Sequence, residues 1–106
     1  MNMGEAFAVH TLGSTVVLSG DIDTAARSSV LEALADAVRD CTTGRVVIDL
    51  ASATFFGSDG VNALVHAQHA TQAAGLVLEL RPGPPNIMRT IDVAGLDFLF
   101  RHEVGD

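Results

Sequence analysis

Basic residues are scarce in this sequence: six stand against thirteen aspartates and glutamates in 106 residues, giving a formal charge of −7. Such a charge repels polyanions, so nucleic acid and anionic membranes are not expected as partners, while protein or cationic partners remain open. Cysteine is nearly absent. The single Cys41 forbids an internal disulfide and fits a reducing cytosol. No apolar run approaches the roughly 18 residues of a spanning helix. The start Met1-Asn2-Met3-Gly4-Glu5 lacks the basic-then-apolar order of a signal peptide. Repeats, low-complexity runs, linkers and Gly-rich phosphate loops of the Walker or dinucleotide type are missing too. Phe56 stands where a Gly-x-Ser-x-Gly elbow would need its first glycine, which removes the hydrolase reading of Ser58. The expectation is one soluble, cytoplasmic domain over residues 1–106, not an enzyme, without cofactor or metal, and monomeric or weakly dimeric.

What is present is a regular alternation of strand and helix signals. Ala6–Leu12 and Thr15–Ser19 read as a hairpin joined by Gly13-Ser14. Gly20-Asp21-Ile22-Asp23-Thr24 reads as a polar turn whose Asp23 or Thr24 caps a helix running to about Asp40. The stripe Val30, Leu31, Leu34, Val38 and Cys41 has the spacing of a buried helix face, which makes Cys41 a buried, inert thiol. Arg45–Leu50 is an apolar strand, and Ser58 to about Ala74 a helix with Val61, Leu64 and Val65 on one face, closed by Gly75. Leu76–Leu80 completes a βαβ unit with parallel strands. Pro82-Gly83-Pro84-Pro85 opens a last helix over Asn86–Ala94, with Ile87, Met88 and Ile91 inward. An apolar edge segment, Leu96–Phe100, follows.

The stretch from Val46 to Gly60 organises the rest: a strand ending in Asp49-Leu50, a polar connection, and Gly57-Ser58-Asp59-Gly60 opening a helix whose N-terminus favours an anion. With Gly20-Asp21-Ile22-Asp23 before it and Gly95-Leu96-Asp97-Phe98-Leu99-Phe100 after it, the order resembles the STAS domains of bacterial anti-sigma factor antagonists. The resemblance implies an α/β domain, a mixed four- to five-stranded sheet with helices packed mainly on one face. It also implies partner switching: the unmodified antagonist binds a GHKL-type anti-sigma kinase and frees a sigma factor, and phosphorylation of the second serine in Asp-Ser-Ser-Gly breaks the complex.

The sequence departs from that motif at the decisive place. Gly57 stands for the family's aspartate, Ser58 for its first serine and Asp59 for the phosphoacceptor. An aspartate cannot be phosphorylated by a serine kinase. Its charge of −1 partly imitates the roughly −1.5 to −2 of phosphoserine, so Asp59 reads either as a permanent mimic or as an ordinary first-turn acid. Ser58 reads as a helix N-cap or as a displaced phosphorylation candidate. The implied partner surface comprises Asp21, Asp23, Gly57, Ser58, Asp59 and Asn62. Asp21 and Asp23 lack a third fixed ligand for a metal. His66 and His69 are three apart, but His10, His102 and Cys41 have no zinc-motif spacing to them, so solvated histidines are expected. Of Phe55 and Phe56, one belongs in the core and one at the partner surface. The alternative to a switched antagonist is a phosphorylation-independent STAS scaffold in a signalling assembly.

Overall fold

Gly13 takes φ 62, the positive value that primed hairpin turns need at their first central residue, and β1 (Phe7–Leu12) folds back antiparallel on β2 (Thr15–Ile22). The computed structural model describes residues 7–96. After β2 come a 3-10 turn (Thr24–Ala26), α1 (Arg27–Asp40), β3 (Arg45–Phe56), α2 (Ser58–Ala73), β4 (Val77–Arg81) and α3 (Pro85–Val93). The sheet order is β1-β2-β3-β4, with β2 parallel to β3 and β3 parallel to β4. This is the mixed sheet expected, with four strands among the described residues. Any contribution of residues 97–100 as an edge segment lies outside the described residues.

Register decides which face is buried. Val16 and Leu18 of β2, Val46, Ile48 and Leu50 of β3, and Leu78 and Leu80 of β4 share one face and form a single cluster with Val30 and Leu34 of α1, Leu64 and Ala67 of α2, and Ile87 and Ile91 of α3. Burying a side chain such as Leu64 contributes about 2 kcal/mol by apolar area. Val61 and Val65, expected beside Leu64 on one face, are half-buried, Val61 packing against the core, while the fully buried line of α2 runs through Gly60, Ala63, Leu64, Ala67 and Thr71. The other sheet face is more polar, carrying Arg45 paired with Glu79, and Asp49 with Arg81 at 3.8 Å.

Two strands are longer than the sequence pattern indicates. β2 continues through Gly20-Asp21-Ile22, read as a turn, and β3 through Ala51-Phe56, read as a polar connection. The cause is a pair of irregularities in the β2–β3 ladder: Val17 faces Asp49 but Ser19 faces Ser52, and Gly20 faces Ala53 but Asp21 faces Phe55. Each adds one residue to β3, so its buried positions after Leu50 fall at Ala53 and Phe56 and the period-2 signal disappears. Asp49 serves the first irregularity directly, its Oδ1 accepting the Ala51 N–H at 3.0 Å.

At the far end of α2 the expected glycine cap forms. Gly75 has φ 73, and the N–H groups of Leu76 and Gly75 reach back to Thr71 O at 2.8 Å and Gln72 O at 3.1 Å.

Candidate functional site

The extended ends of β2 and β3 deliver two connections side by side. Ile22 leads through Asp23 into the 3-10 turn and α1, Phe56 leads through Gly57 into α2, and the Gly57 N–H donates to Ile22 O at 3.0 Å to hold them together. This is the carboxyl end of the parallel strands, where α/β sheets place their binding residues.

Gly57, not Ser58, is the N-cap of α2. It has extended backbone (φ −89, ψ −172), and its carbonyl accepts from Gly60 N at 3.0 Å and Val61 N at 3.1 Å. The expected Ser58 cap is therefore corrected: Ser58 is already the first helical residue, where a hydroxyl cannot reach back over the first turn, and it is exposed with no capping bond. The same correction applies to α1. Asp23 occupies the cap position of the 3-10 turn without a side-chain capping bond, and the Thr24 hydroxyl is used elsewhere.

Two glycines at this end are set by contact. A Cβ on Gly57 would press on the Asp23 carboxylate, with Cγ at 2.7 Å. A Cβ on Gly60 would stand 2.9 Å from Ile22 O and 3.0 Å from the Phe56 ring. Glycine at 57 thus makes room for Asp23 against the helix start.

Asp59 lies in the first turn of α2, where the helix terminus favours a carboxylate. Its Oδ2 accepts the Thr24 hydroxyl hydrogen at 2.8 Å, and its Oδ1 lies 3.7 Å from Arg27 Nε. Thr24 and Arg27 were not read as site residues in the sequence. Their only signal is a spacing of three across a helical turn opposite an acid, visible once the partner of that acid is known.

The structure brings Asp23, Gly57, Ser58 and Asp59 together. Asn62 is one turn further along α2, exposed, and lines a shallow cleft of about 50 Å³ between the helices together with Arg27, Leu31, Asp59, Ala63 and His66. That volume takes a side chain and not a drug-sized ligand, whose sites run to roughly 300 Å³ or more. Asp21 is turned to other work: its Oδ1 accepts from Thr54 Oγ1 at 2.8 Å, and the Thr54 carbonyl accepts from Asn86 Nδ2 at 2.9 Å, tying β2, β3 and α3. Phe56 is the ring in the core, and Phe55 is 47% exposed.

His10, His66 and His69 are exposed, and among the described residues no group of three or more potential ligands could hold a metal ion. Cys41 is half-buried, its thiol donating to Arg45 O at 3.4 Å. Burial pushes that thiol up, but hydrogen bonds from Thr43 and from the backbone at Thr43, Gly44 and Arg45 together bring it below the ordinary value. No helix among the described residues is long and apolar enough to cross a membrane.

A family model described as "Mlab, STAS domain" matches residues 7–101. The chain belongs to the STAS domain family. A search of curated proteins gives no significant match. Among solved structures, the anti-sigma factor antagonist SpoIIAA in its unphosphorylated form superposes with a TM-score of 0.72 at 18% identity, over 90% of this chain and 85% of that one. An anti-sigma factor antagonist from Mycobacterium paratuberculosis gives 0.66 at 28% identity, over 89% and 80%. The Bacillus cell fate determinant SpoIIAA in its phosphorylated form gives 0.65 at 18% identity, over 90% and 88%. The STAS fold therefore extends over nearly the whole described chain, with the motif of residues 57–60 at the start of its second α-helix.

Proposed function

We propose that this STAS domain is an anti-sigma factor antagonist that regulates transcription by binding a GHKL-type anti-sigma kinase in the cytoplasm, as a monomer or weak dimer and without catalysis of its own. The observation that carries the reading is the convergence of the β2–α1 connection and the α2 start, Asp23 with Gly57, Ser58 and Asp59, on one end of a STAS sheet. The likeness to an anti-sigma factor antagonist at 28% identity supports the partner class. The contact surface is assigned to Asp23, Gly57, Ser58, Asp59 and Asn62, with Asp21 supporting the loop from behind through Thr54. Ser58 is the exposed hydroxyl that a kinase would meet, and Asp59 occupies the acceptor-equivalent position.

Asp59 also favours a second reading, in which the domain is a phosphorylation-independent scaffold or interaction subunit. Neither the fold nor the position of the site differs between the two. A binding assay with purified GHKL anti-sigma kinases, with and without Mg-ADP or Mg-ATP, separates them. The antagonist reading expects a saturable complex weakened by Asn62→Arg, placed in the middle of the contact face. Binding to none of the kinases, or binding indifferent to that charge, favours the scaffold.

A further inference from the structure

Between the pairs Gly20–Ala53 and Asp21–Phe55 the β3 strand carries one residue more than β2, and that residue is Thr54. An extra residue in a ladder has no partner opposite it. β4 supplies none either, since among the described residues its pairing with β3 ends at Asp49–Arg81. Thr54 is held by side chains instead. Its hydroxyl donates to Asp21 Oδ1 at 2.8 Å, and its carbonyl accepts from Asn86 Nδ2 at 2.9 Å. The first partner sits in β2 and the second in the first turn of α3, so the bulge is gripped from two elements.

The bulge decides which phenylalanine enters the core. Counting on from the buried Ala53, strict alternation would bury Phe55 opposite Ile22 and leave Phe56 in the connection beside Gly57. With Thr54 inserted, Ile22 faces Phe56, which is buried, and Phe55 is turned outward. Both residues are phenylalanine, so a ring is buried in either phase and burial alone does not choose between them. We propose that Asp21, Thr54 and Asn86 are positioning residues, a clamp on the bulge that fixes the phase of β3 and with it the place where α2 begins. The bond from Gly57 N to Ile22 O at 3.0 Å and the close seat of Gly60 against the Phe56 ring both belong to this phase. The clamp stands on the geometry; its service to kinase binding rests on the antagonist reading, because the phase aims Ser58, Asp59 and Asn62.

The test exchanges the roles of the two rings. In the wild type Phe56→Ala should lower the urea midpoint about twice as far as Phe55→Ala, or more. In a background of Thr54→Val with Asn86→Ala, where both arms are cut, the two drops should become about equal, because the chain slips by one residue and buries the phenylalanine that is left. Thr54→Ser with Asn86 intact keeps the hydroxyl and the amide, so it should keep the wild-type asymmetry. A tie that is merely structural would lower every midpoint and leave the asymmetry in place, and that result would overturn the clamp. A second readout keeps both rings: in NMR spectra the Gly60 α-protons should contact the Phe56 ring in the wild type, and the Phe55 ring as well once both arms are cut. Contacts from Phe56 alone in that variant would also overturn it. The anti-sigma kinase should bind the doubly cut variant about fivefold more weakly, as the fraction in phase falls. Slippage with undiminished binding would contradict the link between phase and contact face. Slippage in a chain whose wild type binds no such kinase removes the partner reading and keeps the clamp; an unmoved asymmetry in a chain that binds does the reverse.

Discussion

The two ends of the sheet use glycine in opposite ways. At the end where Gly13, Gly44 and Gly75 introduce β2, β3 and β4, the backbone takes positive φ and a Cβ would meet nothing within 4 Å. At the opposite end Gly57 and Gly60 have ordinary backbone and no room, because the Asp23 carboxylate, Ile22 O and the Phe56 ring stand where a side chain would go. The first end is a set of turns over a regular ladder. The second is a close-packed junction of two connections over an irregular ladder, and it carries residues 57–60 at the start of α2. Glycine at the turns is a matter of conformation and can be replaced at a modest cost. Glycine at the site is a matter of space, and replacing it moves the site.

Substitutions sharpen that contrast, the largest effect first. Gly60→Val should destabilise the fold by about 3 kcal/mol in urea unfolding, since backbone and an aromatic ring cannot both withdraw. A loss below that of a turn glycine would dissolve the distinction. Gly75→Ala, with open space but φ 73, should cost about 1 kcal/mol. Gly57→Ala meets a movable side chain and not backbone, so its stability effect should be smaller still, about 0.5 kcal/mol, while the Asp23 carboxylate resonances shift in NMR spectra. Ser58→Ala should change the urea midpoint least of all, because no cap is lost; a penalty near the roughly 1 kcal/mol of a true N-cap would restore Ser58 to that role.

Most of the fold was legible because its signals are local. The 3.6-residue stripe through Val30 and Leu34, the glycines after α2 and α3, and the Pro84-Pro85 start of α3 each act within a few residues. The ends of β2 and β3 were not, since their pairing depends on register across two strands and on Asp49 accepting a backbone N–H two residues on. At the site, Gly57, Ser58, Asp59 and Asp23 could be placed from the motif. Thr24 and Arg27 could not, because what matters about them is a contact spanning more than thirty residues of sequence, Thr24 to Asp59 at 2.8 Å. The mistaken cap has a similar origin: the residue types permit either Gly57 or Ser58, and the tie from Gly57 N to Ile22 O selects the glycine.

The proposed reading, an anti-sigma factor antagonist with Asp59 at the acceptor-equivalent position, is tested most directly by intact mass after incubation with the bound anti-sigma kinase and Mg-ATP. The wild type should remain bound and unmodified, while Asp59→Ser gains a single phosphate and then dissociates. A phosphate appearing on the wild type and lost in Ser58→Ala would contradict the account, because Ser58 would then be the working acceptor and the domain an ordinary switch.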